Sequence, residues 1–128
     1  MLGSPNYFGE VTGKMHTFLE RLAFPWLSYN DYSLSAPKHM PVLLVESQNG
    51  SAEHNNCKGY GPFEHCIAQA LGPFERLTAY NTYQVKDYSR YELAGFSEPD
   101  KCRYREEHWP QTLQQAFDAG RAMALKIL

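Results

Sequence analysis

A short run near the start of the chain, Ser4-Pro5-Asn6-Tyr7-Phe8-Gly9, carries residue types suited to holding a flat ring. Pro5 fixes one backbone dihedral, Gly9 and the following Gly13 let the backbone approach a planar ligand closely, and Tyr7 and Phe8 supply aromatic faces. Backbone N–H groups left free ahead of a helix can bond ring carbonyls and nitrogens. The plain alternative for the same run is an ordinary Gly/Pro turn from a strand into a helix. Two other chemistries fail on spacing. His54, Cys57, His65 and Cys66 fall as His-x-x-Cys and an adjacent His-Cys pair, neither a usual zinc-ligand spacing, and Cys66 fits an apolar helix face while His54 and Cys57 fit a loop. Ser47, with His54 or His65 as base, suggests a hydrolase, but Glu46-Ser47-Gln48 does not form the Gly-x-Ser-x-Gly elbow.

The elements that must position these residues follow from periodicity. Val11, Met15, Phe18, Leu19 and Leu22 form one apolar stripe at helical spacing, and Pro25 ends that helix. After an aromatic, polar connector from Trp26 to Lys38, Pro41 to Glu46 is a continuous run of β-formers without alternation, which predicts a strand covered on both faces, as in a parallel sheet. Ser47 to Gly61 is polar. Pro62 opens a second helix, with Phe63, Cys66, Ile67, Ala70 and Leu71 on one face, and Gly72-Pro73 stops it. Leu77 to Val85 alternates apart from Asn81 and predicts another strand, followed by a charged loop from Lys86 to His108. Pro110 then leads a third helix, with Leu113, Ala116, Phe117, Ala124 and Leu128 on one face; Phe117, Met123 and Ile127 are expected in the core or at its margin. Strand end, helix, strand, helix, strand, helix is the order of right-handed βαβ crossovers and predicts an α/β domain with two to three parallel strands. Such sheets hold ligands beyond the carboxyl ends of their strands, so Ser4 to Gly9 and Ser47 to Gly61 are the loops of interest.

Composition sets the outer bounds. At 128 residues the chain suits one domain, and 43% hydrophobic with 14% aromatic residues argues against disorder. Twelve basic and fourteen acidic residues, in no long block, do not make the electrostatic footprint of a nucleic-acid binder. Tyr83, Tyr88, Tyr91 and Tyr104 lie among Lys86, Arg90, Arg103 and Arg105, but Asp87, Glu92, Glu106 and Glu107 cancel that charge, which favours a packed loop over base stacking. Three cysteines, Cys57, Cys66 and Cys102, form no Cys-x-x-Cys pair and point to a reducing, cytoplasmic setting. The longest apolar run, Pro41 to Val45, is far too short for a membrane span, and the start of the chain lacks signal-peptide character.

Gly3-Ser4-Pro5-Asn6-Tyr7-Phe8-Gly9-Glu10-Val11-Thr12-Gly13, with Phe18-Leu19-Glu20-Arg21-Leu22 behind it, resembles the third strand-to-helix turn of the NAD(P)H-dependent FMN reductase and iron–sulfur flavoprotein branch of the flavodoxin-like superfamily. The Tyr83 to Tyr91 stretch is similar to a C-terminal segment of some members, and the likeness runs from Leu2 to about the end of the chain. The resemblance implies a flavodoxin-like three-layer α/β/α fold with a parallel sheet. It implies that Ser4, Pro5, Asn6, Tyr7, Phe8 and Gly9 line FMN, and that Ser47, Gln48, Asn49 and Gly50 close the other side of its ring. NAD(P)H is then the co-substrate, and a quinone, a flavin or an electron-carrier protein the acceptor. No acid, base or nucleophile is required, since the cofactor carries the chemistry.

Family members carry, ahead of this turn, a first strand and a Ser/Thr/Asn-rich loop that cradles the FMN phosphate, and the iron–sulfur members add a compact cysteine cluster. Neither stands in these 128 residues. The resemblance therefore implies a single partial domain truncated at the N-terminus: a shortened product, a fragment or half of a split assembly. FMN affinity is expected to be weak or borrowed, and Pro41 to Glu46 to lack strand neighbours, which predicts a homo-oligomer that covers the apolar edge. The alternative is a non-enzymatic remnant or assembly subunit that no longer binds FMN. A hydrolase-like α/β domain is a third, remote reading.

Overall fold

A computed structural model describes residues 1–53 and 61–127. Strands β1 (Leu2–Pro5), β2 (Val42–Ser47) and β3 (Phe74–Ala79) alternate with helices α1 (Gly13–Ala23), α2 (Gly61–Leu71) and α3 (Glu98–Ile127). All pairing is parallel, in the order β1-β2-β3. Pro5 pairs with Ser47 and Ser47 with Ala79, so the three strands end level and their following loops leave from one edge. The α/β class with a parallel sheet is therefore as the sequence pattern predicts.

The core explains why β2 reads as an unbroken apolar run. Val42 and Leu44 join the buried cluster with Leu19 of α1 and Phe63, Ile67, Ala70 and Leu71 of α2. Leu43, whose side chain points the other way along the pleat, is equally buried and shares a cavity with Gln115 and Ala119 of α3. On β3, Arg76 pairs with Glu64 of α2 and Glu75 with Lys126 of α3, so two adjacent charges fasten helices on opposite faces. A strand read as starting at Leu77 thus begins at Phe74, directly after Gly72-Pro73. It stops at Ala79, short of the predicted Val85, because Asn81 turns into the left-handed region at φ 50°.

The helix ends follow ordinary capping. The Thr12 hydroxyl accepts from the Met15 N–H at 3.3 Å, and Ser4 Oγ accepts from the Thr12 N–H at 3.0 Å, tying the start of α1 to the end of β1. Gly72, at φ 101°, closes α2, and the connector uses two of its last carbonyls through Ala36 N–H to Ala70 at 2.8 Å and Met40 N–H to Leu71 at 3.1 Å.

Three expectations are corrected. The predicted loop from Lys86 to His108 is helical from Glu98 onward, and α3 runs through Pro110 instead of starting there. Its start signals lie upstream: Ser97 Oγ accepts from the Asp100 N–H at 3.3 Å, with Glu98 and Asp100 in the first turn. Thr112 bonds the His108 carbonyl at 3.1 Å beside the turn where proline removes a donor. Second, Leu113 and Phe117 are exposed, as is Phe18 of α1, because α3 sets smaller residues such as Ala119 against the sheet. Third, β2 does not lack neighbours; it is the central strand, and the open edges belong to the short β1 and to β3. Among the described residues no helix is long and apolar enough to cross a membrane.

This packing has a direct test in urea denaturation. Ile67→Ala, at a fully buried position, is expected to cost roughly 2–5 kcal/mol. Phe117→Ser on the exposed face of α3 should stay within about 0.5 kcal/mol of wild type. A large loss from Phe117→Ser would contradict the placement of α3.

Candidate functional site

The three loops that leave the carboxyl edge of the sheet are bound to one another by polar side chains. Asn6 is the junction of the first two. Its N–H donates to the Ser47 carbonyl at 2.8 Å, and its Nδ2 donates to Glu46 Oε1 at 2.6 Å and Gln48 Oε1 at 3.4 Å. Its Oδ1 accepts from the Gly9 N–H at 2.9 Å. Glu46, only 2% exposed, also accepts from Thr78 Oγ1 at 3.2 Å, so one carboxylate links all three strand ends. A buried carboxylate needs such donors, because desolvation without them is costly.

Asn6 thereby holds a tight reversal. Tyr7 and Glu10 exchange backbone hydrogen bonds at 2.9 and 3.1 Å across Phe8 and Gly9, which both have positive φ, 58° and 84°. Two successive positive φ values are the mark of a type I′ turn, for which Gly at the second position is well suited and Phe at the first is not. The left-handed backbone costs a side-chain-bearing residue roughly 1–2 kcal/mol. Phe8 is nevertheless fully exposed at the tip, with Tyr7 largely exposed beside it. Strain spent on displaying an aromatic ring to solvent, with no packing return, is a pattern associated with function.

Of the residues the sequence singles out, Ser4, Pro5, Asn6, Ser47 and Gln48 come together at the junction of β1 and β2. Tyr7, Phe8 and Gly9 form the projecting turn. Asn49 and Gly50 lean the other way, toward the third loop: the Asn81 N–H donates to the Gly50 carbonyl at 2.9 Å and Asn49 Nδ2 to Gln84 Oε1 at 3.0 Å. The expectation of free amides in the first loop needs correction. Asn6, Tyr7, Gly9, Glu10 and Thr12 all donate within the protein; Phe8 N–H, at the turn tip, has no partner among the described residues. The Asn49 Oδ1 is buried with no hydrogen-bond partner among them, an unspent acceptor at the same edge. His54 and Cys57 lie outside the described residues, as does most of the polar stretch between Ser51 and Gly61.

Periodicity did not reveal the fastening of the third loop. Lys101, in the first turn of α3 and 1% exposed, donates to the carbonyls of Asn49 and Thr82 at 2.9 and 3.1 Å and to Asn81 Oδ1 at 2.8 Å. Its ammonium also sits 5.2 Å from the centre of the Phe96 ring. Three donors meet three oxygens, and burial pushes the lysine below its ordinary range. Glu46 had a legible signal, a charge ending an apolar β-run; Lys101 had none.

No family model, curated protein or solved structure matches the chain.

Two outcomes follow from this geometry. Asn6→Ala strips a donor from buried Glu46 and releases Gly9, and is expected to cost about 2 kcal/mol in urea denaturation. Phe8→Gly, which relieves the turn, should cost nothing measurable or stabilise slightly. For Lys101, between its lowered folded value and about 10.4 the unfolded chain binds a proton that the folded chain has released, so stability from this group rises with pH across that window. Lys101→Met lacks the proton, so the advantage of wild type over it should widen as pH rises toward about 10.4. A constant difference would contradict the assignment.

Proposed function

We propose that the chain is a flavin-dependent NAD(P)H oxidoreductase of the FMN reductase type, built on the C-terminal portion of a flavodoxin-like three-layer α/β/α fold. The supporting observation is the projecting Tyr7-Phe8 turn, held in a strained backbone by Asn6 beside the exit of β2 at the carboxyl edge of a parallel sheet. Exposed aromatic faces suit a planar ring. The Phe8 N–H at the turn tip is an unspent donor for its polar edge. These residues fit the ring end of FMN; among the described residues there is no comparable nest of donors for its phosphate.

When bound, FMN supplies the redox chemistry, taking hydride from a nicotinamide and passing electrons to a quinone, a flavin or an electron-carrier protein. The protein's part is to hold and shield. Tyr7 and Phe8 would pack against the ring and exclude water from one face. Asn6 keeps the turn from relaxing, and Glu46 keeps Asn6 in place, so the carboxylate acts on the site only through that amide. Self-association in the cytoplasm belongs to the same proposal, with the open β1 edge and exposed Val45 as the surface to be covered.

The test is titration of FMN fluorescence with the purified protein, alongside its visible spectrum and solution mass. Quenching that saturates is expected, with Phe8→Ala weakening it about tenfold, in the range of a lost base-type stack. Undiminished FMN fluorescence at protein concentrations up to the millimolar range would overturn the flavin reading and favour a non-enzymatic assembly subunit.

A further inference from the structure

A second concavity lies away from the Tyr7-Phe8 turn, between the chain leaving β3 and the first half of α3. It measures about 180 Å³ and half of its lining residues carry rings: Tyr80 and Tyr83 from the loop, and Tyr104, His108 and Trp109 from the helix. Two of these rings are already ordered against each other, since Tyr104 and His108 stack at 4.0 Å with their planes 4° apart. A cavity of about 150 Å³ suffices for a benzene-sized ring, so one ring, or two fused rings reaching toward the open side, fit this space.

Charge decides what kind of ring. Arg105 lines the cleft with its guanidinium 5.7 Å from the centre of the Tyr83 ring, and among the described residues it has no carboxylate within ion-pair distance. Arg76 and Arg103 each have one. Tyr104 stays an uncharged phenol, because burial and the nearby Glu53 both push its ionisation up. Tyrosine and tryptophan faces also attract cations, but Arg105 already lies over the Tyr83 face. An unspent guanidinium is instead matched by a carboxylate, which it binds through paired hydrogen bonds. Glu53 at the Tyr104 side repels an anion there, which orients an acid group toward Arg105.

We propose that this cleft is a binding site for a small planar aromatic acid, its ring lying against Tyr80, Tyr104 and Trp109 and its carboxylate on Arg105. The site is independent of the flavin reading and requires no cofactor. Its backbone is firm, because Lys101 fastens Asn81 and Thr82 of the lining loop to the start of the helix that carries Tyr104 and Trp109.

The test uses the whole ¹⁵N-labelled protein with 2-naphthoate as probe and 2-naphthylmethylammonium as its opposite-charge twin. The indole N–H signal of Trp109, assigned through Trp109→Phe, should shift and saturate with the acid, while the Trp26 signal stays put. The acid should bind about tenfold tighter than the ammonium, and Arg105→Gln should remove that preference, as expected for one charge-assisted contact. Arg105 is exposed, so the variant folds, and its unchanged spectrum elsewhere verifies this. Equal affinity for the two probes, shifts confined to Tyr7 and Phe8, or no shift of Trp109 with millimolar acid would each overturn the proposal.

Discussion

The parallel pairing of β2 on both sides is the constraint on which the remaining geometry rests. Leu43 and Leu44 are buried on opposite faces of the strand, Leu44 in the core beneath α1 and α2 and Leu43 on the side of α3. Slipping its register by one residue would exchange Val42 and Leu44 with Leu43 and Val45, moving partly exposed Val45 into the cluster beneath α1 and α2 and turning Glu46 to the other face. Level pairing of Pro5, Ser47 and Ala79 then sends three loops off a single edge. Every candidate site residue depends on that alignment.

Polar groups lock what the apolar core aligns. Glu46 and Lys101 are both almost wholly buried, carry opposite charge and fasten different loop pairs: Glu46 the first and second through Asn6, Lys101 the second and third through Asn49, Asn81 and Thr82. Each meets donors or acceptors instead of a counter-charge among its described hydrogen bonds. That satisfies the group and imposes a specific loop geometry, since each partner atom must sit where the charge can reach it. The strained Phe8 turn is sustainable because the bonds on its flanks outnumber the torsions they oppose.

The same edge carries two aromatic surfaces of different character. At the first loop, Tyr7 and Phe8 project singly into solvent from a tight turn. At the third, tyrosines and a tryptophan from two elements converge on a cavity with a guanidinium at its rim. A ring at the first would be held on one side and a ring at the second flanked by side chains of two elements, so the two would differ in how strongly they exclude water. Lys101 joins the lining loop of the cleft to the second loop, and Asn6 and Glu46 join the second loop to the first.

Much of this was legible in the chain. The unbroken Pro41 to Val45 run, the stripe of Phe63, Ile67, Ala70 and Leu71, and the Gly/Pro stops at Gly72-Pro73 determined the parallel strand, the second helix and the α/β class, because burial on both faces and helical period leave direct marks on residue type. Ser97-Glu98-Pro99-Asp100 also carried the start of α3, overshadowed by Pro110, which reads as a helix opening yet sits inside one. Tertiary structure alone decided the rest. Whether Asn6 would reach Glu46, forty residues away, or Lys101 find Asn49, more than fifty residues away, depends on which loops the sheet brings level, and no local pattern encodes a bond to a distant carbonyl. The aromatic cleft is likewise assembled from a loop and a helix that meet only after β3 has paired, so its residues read in sequence as scattered tyrosines with cancelling charge.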